Sequence, residues 1–106
     1  MKIIILITFL FSIGYAKNTD ENTQKNVSGA FLYNKLCYVC HGKYAEKKAF
    51  ATSEVIRGWS VEKITKAING YQNETYGAKY KKLMHGQVER LKDYEIKPLA
   101  EYISKL

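Results

Sequence analysis

Apolar residues recur at helical spacing in three stretches of the chain, and no stretch shows the alternation of apolar and polar residues that is typical of strands. The first stretch predicts a helix over residues 29–38, with Ser28 as its N-cap. The second predicts a helix that follows Ser60 and ends near Gly70, and the third covers about residues 93–105. The pattern therefore predicts an all-α fold.

The segments between these helices have no sustained period. Residues 43–59 are rich in Lys and Ala and predict a connector with a short helical turn at 53–57. Residues 71–86 are rich in Tyr, Gly and Lys and predict a loop, with at most one helical turn at 78–82. Pro98 lies in the first two turns of the last predicted helix, where it removes one backbone hydrogen bond unless the helix begins late or kinks.

The N-terminus has the pattern of a secretory signal, with a positive start at Lys2 and an almost wholly apolar run over residues 3–13 that ends in small residues. The run is well short of the ~20 residues that a membrane-spanning helix needs. We therefore expect residues 1–16 to be a cleaved signal peptide; an uncleaved membrane tether is the alternative. Polar residues 17–26 predict a flexible leader, and residues 27–106 a single domain.

A domain of this size buries a limited fraction of its surface and needs a further stabilising element. The formal charge of the full chain is +7, which falls to +6 without Lys2. A secreted chain meets little nucleic acid, and its lysines are spread along the sequence, so an acidic protein surface is the expected partner. A merely soluble basic surface is the alternative.

The chemistry of the chain is concentrated in Cys37-Tyr38-Val39-Cys40-His41. Two cysteines separated by two residues and followed at once by histidine form the attachment pattern of c-type haem. Each thiol adds to one haem vinyl group, and the imidazole of His41 is a suitable proximal ligand for the iron. The pattern therefore predicts one covalently attached haem c, held by Cys37 and Cys40, which would also stabilise the small domain.

Three other interpretations compete at these residues. A structural zinc site would need a fourth ligand, such as His85 or a carboxylate. A thioredoxin-like dithiol would need a βαβ unit beside the two cysteines, and here the flanks predict helix. The third interpretation is a disulfide between Cys37 and Cys40 in an exported protein.

The second axial ligand of the iron decides what such a haem does, because an open face lets small molecules bind whereas two strong ligands favour electron transfer. Beyond the predicted signal peptide the chain has one methionine, Met84, about forty residues after His41. Met84 is the predicted distal ligand, with a core position as its alternative. The adjacent His85 leaves a bis-histidine site open.

In these features the chain resembles the small monohaem bacterial class I cytochromes c, over about residues 29–103. Gly29-x3-Tyr33-x3-Cys37 is similar to the family's first helix, where glycine allows the last helix to cross closely and an aromatic side chain packs beside it. Leu99-x2-Tyr102 is similar to the partner positions on that last helix. The resemblance implies the class I cytochrome c fold, with crossing N- and C-terminal helices and a central helix and loops wrapped around one haem.

The resemblance also implies a function. We expect a periplasmic, monomeric electron carrier of the respiratory chain rather than an enzyme, with no stable membrane insertion and no nucleic acid among its partners. Its donor would be a quinol-oxidising cytochrome complex and its acceptor a terminal oxidase or a cytochrome c peroxidase. The competing functions are an enzyme or gas sensor with an open haem face, and a dithiol oxidoreductase.

The chain departs from the family pattern in two places. No proline follows the haem motif, so a carbonyl that the sequence does not identify must hold the second nitrogen of His41. Lys92 stands where the family has a Ser or Thr cap, and we expect Asp93 to cap the last helix.

Several further residues are expected around the haem. Trp59 and Arg57 are the candidates for contact with a haem propionate, through an indole donor or a guanidinium, and a plain core position is the alternative for Trp59. The predicted pocket wall includes Tyr71, Tyr76 and Tyr80. The lysines expected at the haem edge are Lys43, Lys79, Lys81 and Lys82.

Overall fold

The computed structural model describes Gly14 and residues 26–106, so the predicted signal peptide and nearly all of the predicted leader lie outside the described residues. The helices are α1 (Gly29–Leu36), α2 (Tyr38–His41), α3 (Val61–Gln72), α4 (Lys81–Val88) and α5 (Asp93–Ser104), with a short 3-10 helix at Ala49–Ala51. No strand occurs among the described residues. The all-α prediction is confirmed.

The first predicted helix is divided in two. Its start is as expected, because the Ser28 hydroxyl accepts a hydrogen bond from the Phe31 N–H at 3.3 Å. It ends at Leu36, however, and Cys37, with φ −117° and ψ −39°, separates it from the short helix α2. The break at Cys37 changes the course of the backbone at the first residue of the haem motif.

Helices α1 and α5 cross at Gly29. A side-chain carbon at Gly29 would collide with the backbone carbonyl of Pro98 and would lie 2.8 Å from Cβ of Tyr102. Beside this crossing, the rings of Tyr33 and Tyr102 pack with their centroids 5.5 Å apart. The predicted glycine-mediated crossing and its aromatic neighbour are both confirmed.

Helix α5 begins at Asp93, as predicted, and runs through Pro98, so it does not begin late and Pro98 removes one backbone hydrogen bond within it. Proline cannot donate to the carbonyl of Tyr94 four residues earlier, and Tyr94 is exposed, which leaves that carbonyl within reach of water. The N-cap residue is Lys92, not Asp93 as expected. Its backbone N–H donates to the Glu95 carboxylate at 2.8 Å, which replaces the hydroxyl cap with one half of a capping box.

Helix α3 has the predicted start, with the Ser60 hydroxyl accepting from the Lys63 N–H at 3.1 Å. Its predicted end at Gly70 is wrong, because the helix continues to Gln72. A side-chain carbon at Gly70 would lie 2.6 Å from Cβ of Tyr76. Glycine is therefore needed there for close packing of the following segment and not for ending the helix.

The predicted loop over residues 71–86 contains helix α4, so that prediction is wrong. Val88 is the buried residue of this helix, and a helix with so little buried apolar surface gives no periodic signal. Tertiary contacts supply what the sequence pattern lacks: the Gln72 side-chain amide donates to the carbonyls of Val88 at 3.0 Å and Leu91 at 2.9 Å. These bonds fix the C-terminal end of α4 against the end of α3.

The predicted helical turn at residues 53–57 is also wrong, since the ordered turn of this connector is the 3-10 helix at Ala49–Ala51.

One apolar core joins helices α1, α3, α4 and α5. Its buried side chains include Leu32, Tyr33, Ile64, Ile68, Val88, Ile96, Leu99, Ala100 and Ile103.

Candidate cofactor site

A cavity of about 530 Å³ opens between the haem motif and helices α3, α4 and α5. Its size falls in the range of roughly 300–1,000 Å³ that is usual for cofactor and ligand pockets. The aliphatic side chains of its wall include Leu36, Ile56, Ile64, Ile68, Leu83, Val88, Leu99 and Ile103. A large, flat, apolar group fits such a wall.

The haem motif forms one side of this cavity, because Cys37, Cys40 and His41 all line it. Cys37 is buried and Cys40 half-buried, and both thiols are free. Burial, followed by the nearby Cys40, raises the pKa of Cys37 to about 12. The thiol of Cys37 is therefore neutral and stands in an apolar setting that suits a thioether.

His41 is 8 % exposed, and burial lowers the pKa of its imidazole. The neutral ring has a free lone pair, which ligation of a metal requires. Its Nδ1 atom is buried without a hydrogen-bond partner among the described residues. The expected carbonyl acceptor for this nitrogen is therefore not found in the described part of the chain.

The backbone after His41 forms a tight turn over residues 42–46, with φ +86° at Gly42 and +57° at Ala45. The Tyr33 hydroxyl donates to the Gly42 carbonyl at 2.6 Å, and burial of that hydroxyl raises the pKa of Tyr33 to about 12. The Glu46 carboxylate accepts from the Tyr44 N–H at 2.7 Å, and such backbone hydrogen bonds lower its pKa. The sequence pattern places Tyr33 at the helix crossing and gives no signal for its bond to the turn.

Met84 lies on α4, half-buried, and lines the same cavity as His41. His85 is not part of the lining. Its Nδ1 atom lies 2.8 Å from the Tyr71 carbonyl, and its Nε2 atom lies 3.3 Å from the Glu89 carboxylate. The structure thus brings Met84 and the haem motif to one cavity and engages His85 elsewhere.

The two predicted propionate contacts are placed differently. Trp59 is half-buried in the cavity wall, with the Lys63 ammonium 3.9 Å from the centre of its ring. Arg57 is exposed and lies outside the lining. Contact of either residue with a propionate stays a prediction.

Aromatic side chains complete the cavity. Tyr71, Tyr76 and Tyr80 line it as expected, and the rings of Tyr71 and Tyr76 meet edge to face at 5.0 Å. Phe50 was not predicted in the wall, and its ring packs 5.0 Å from that of Tyr80. Its φ of +52°, rare for a non-glycine residue, has no signature in the sequence.

The lysines expected at the haem edge divide into two pairs. Lys79 and Lys81 line the cavity, whereas Lys43 and Lys82 are exposed outside the lining.

The competing interpretations of the motif find little support in the described part of the chain. No three His, Cys, Asp or Glu side chains there converge as a metal site would require. A βαβ unit is also absent from residues 26–106, which contain only helices and turns. None of the helices in that same range is long and apolar enough to cross a membrane.

A helical domain with one apolar cavity, a Cys-x2-Cys-His segment on its wall and a neutral, buried imidazole defines a haem protein of the c type. The sequence comparisons agree with this class. Residues 27–106 match the cytochrome c family, and the chain belongs to that family.

Several relatives are named cytochrome c-553. That of Nitratidesulfovibrio vulgaris (strain DSM 19637 / Miyazaki F) is 37% identical over 78 residues, which are 74% of this chain and 76% of the relative. That of Desulfomicrobium norvegicum is 39% identical over 75 residues, 71% of this chain and 91% of the relative.

A third relative, the cytochrome c-553 of Helicobacter pylori (strain ATCC 700392 / 26695), is 36% identical over 72 residues, 68% of this chain and 72% of the relative. Membership of this family means that the chain is an electron carrier with a covalently attached haem c. The predicted family, fold and cofactor are confirmed.

Proposed function

We propose that this protein is a periplasmic electron carrier whose haem is bound through thioethers of Cys37 and Cys40, with His41 and Met84 as the axial ligands of the iron. The observation that carries this proposal is the cavity itself, which has the haem motif in its wall together with Met84. When bound, the haem supplies a one-electron couple between ferrous and ferric iron.

The residues of the chain prepare this site in three ways. Burial keeps the His41 imidazole neutral, so that no proton competes for its lone pair. The aliphatic side chains of the wall, including Ile64 and Leu99, exclude water from the haem. The surroundings of the haem therefore change little between its two oxidation states. Met84 offers a thioether, a ligand that raises the reduction potential of haem iron.

The contacts of His85 favour Met84 as the distal ligand. Ligation by His85 would require its ring to leave both the Tyr71 carbonyl and the Glu89 carboxylate, whereas Met84 already lines the cavity. The open-face enzyme or gas sensor is less favoured because Met84 lines the cavity and offers a second axial ligand.

The expected biology follows from this site and from the N-terminal pattern. Cleavage of residues 1–16 would deliver a basic, monomeric protein with a short leader over residues 17–26 and a domain at 27–106 to the periplasm. There it would accept electrons from a quinol-oxidising cytochrome complex and pass them to a terminal oxidase or cytochrome c peroxidase. Such encounters are weak and brief and use small interfaces.

Visible and near-infrared spectra of the protein produced with haem-attachment machinery test the ligand assignment. Met84→Leu should abolish the methionine-to-iron absorption of the ferric protein and let carbon monoxide bind the ferrous protein at neutral pH, because it empties the sixth position. His85→Ala is the matched control and should keep the wild-type spectrum. The reverse result would establish His85 as the ligand, and a colourless protein with the mass of the bare peptide would refute the whole proposal.

A further inference from the structure

The orientation of His41 has no visible source in its own hydrogen bonds. A ligand histidine usually donates its second ring N–H to a carbonyl or carboxylate, which fixes the rotation of the ring. Here Nδ1 is buried without a partner among the described residues. The orientation of the ring then depends on the packing around it and on the backbone that carries it.

That backbone is the strained turn after the haem motif. Ala45, a residue with a side-chain carbon, adopts a positive φ of +57°, and left-handed backbone of this kind persists only where surrounding contacts enforce it. Two main-chain bonds hold the ends of the turn: Gly42 N–H to the Tyr38 carbonyl at 2.9 Å, and Lys47 N–H to the His41 carbonyl at 2.9 Å.

One side-chain bond links this turn to the rest of the fold. The Tyr33 hydroxyl donates at 2.6 Å to the carbonyl of Gly42, the residue after His41. Tyr33 is fully buried, on the rigid helix α1, and its ring packs against Tyr102 of α5. The position of the hydroxyl is thus fixed by the crossing of the two terminal helices.

We propose that Tyr33 is a positioning residue for His41, in that its hydroxyl transmits the geometry of the α1–α5 crossing to the turn that carries the proximal imidazole. This inference rests on the proposed function, since it assumes that His41 ligates the haem iron. It predicts that the hydroxyl oxygen of Tyr33, and not only the packing of the Tyr33 ring, determines the magnetic environment of the His41 ring and the reduction potential of the haem.

The test is Tyr33→Phe in the oxidised holoprotein, which removes one oxygen atom and keeps the ring. The paramagnetically shifted proton resonances of the His41 ring and the reduction potential should both change. The Lys47 amide, whose bond to the His41 carbonyl closes the turn, should exchange with solvent about tenfold faster, because the turn opens more easily once the Tyr33 bond is lost.

Two variants control for the loss of stability and for the loss of a hydroxyl elsewhere. Leu32→Val shortens a buried side chain on α1, and Tyr102→Phe removes the hydroxyl of the ring that packs against Tyr33. Both should keep the wild-type His41 resonances and potential. The inference is overturned if Tyr33→Phe leaves them unchanged, or if Leu32→Val changes them as much.

A second variant decides the question if Tyr33→Phe does not fold. Glu46→Gln weakens the bond to the Tyr44 N–H at an exposed position of the same turn, without touching the core. A displacement of the His41 resonances in this variant supports positioning by the turn, and its absence refutes it. If the wild-type protein itself shows no histidine-ligated haem, the proposed function fails instead.

Discussion

Single residues decide how closely the two terminal helices approach. Gly29 has the Pro98 carbonyl in the place of its side chain, and a backbone oxygen cannot rotate away as a flexible side chain can. A side-chain carbon at Gly86 on α4, by contrast, would meet no atom within 4 Å beyond those of its own local helix. The same substitution should therefore have opposite effects at the two positions.

Gly29→Ala should destabilise the protein by about 1–3 kcal/mol, the usual cost of overpacking. Gly86→Ala should stabilise it by about 0.5–1 kcal/mol, because alanine loses less backbone entropy in a helix. Denaturant unfolding of the two holoprotein variants beside the wild type measures both changes. Equal effects of the two substitutions would contradict a close crossing at Gly29.

Residue types alone are enough to predict part of the site. The spacing of Cys37, Cys40 and His41 follows from covalent chemistry, so that it is visible without any structure. The bond from Tyr33 to Gly42 and the positive φ of Phe50 depend on tertiary contacts and leave no mark on local spacing. Sequence reasoning could not have found them.

Elements with a wide buried face were predicted better than short ones. Helices α3 and α5 bury apolar stripes, and their starts were predicted to within a residue. Helix α4 is stabilised by the Gln72 amide and by one buried valine, neither of which produces a period. Helix α4 therefore depends on tertiary contacts with the end of α3.

The C-terminal end of α3 contains a strained residue. Glu74 follows the cap residue Asn73 and has φ +57°, the conformation in which helices commonly end on glycine. Thr75 N–H donates to the Gly70 carbonyl at 2.9 Å across this turn, so the conformation is held in place. The side chain of Glu74 is exposed.

Glu74→Gly should therefore stabilise the protein by up to about 1 kcal/mol, since relief of the left-handed strain outweighs the greater entropy of glycine in the unfolded chain. Thermal unfolding of the holoprotein checks the sign. Glu62→Gly, at an exposed position in the first turn of the same helix, is the matched control and should destabilise by a similar amount. A lower melting temperature for Glu74→Gly would refute the argument.

At the scale of the whole molecule, positive charge and the cavity occur together. Lys79 and Lys81 are exposed residues that also line the cavity, while Lys66 is exposed on α3 outside the lining. A basic rim around a redox group attracts an acidic partner and accelerates association at low salt. Part of the positive charge of the chain therefore lies at the cavity, where electrons would leave the bound haem.

Replacing both Lys79 and Lys81 by Glu should slow electron transfer to an acidic redox partner at low ionic strength by about tenfold, and the difference should shrink as salt screens the charges. Stopped-flow kinetics over a range of ionic strength measures this effect. Replacing Lys66 and Lys97 by Glu makes the same change in net charge at exposed positions outside the lining and should change the rate much less. Equal slowing by this control would mean that net charge alone, and not its position, governs the encounter.

The two hydrogen bonds from the Gln72 amide to the end of α4 have a mechanical consequence. The first turn of α4 is exposed, and its N-cap Tyr80 makes no side-chain cap, so the helix is pinned at its Val88 end. If this wall of the cavity moves outward, helix α4 rotates about its Val88 end. At a rise of 1.5 Å per residue, Met84 lies about 6 Å and Lys81 about 10 Å from that end. In such a rotation Met84 moves only about half as far as Lys81, so the predicted distal ligand is less affected than the lysine by fluctuations at the cavity entrance.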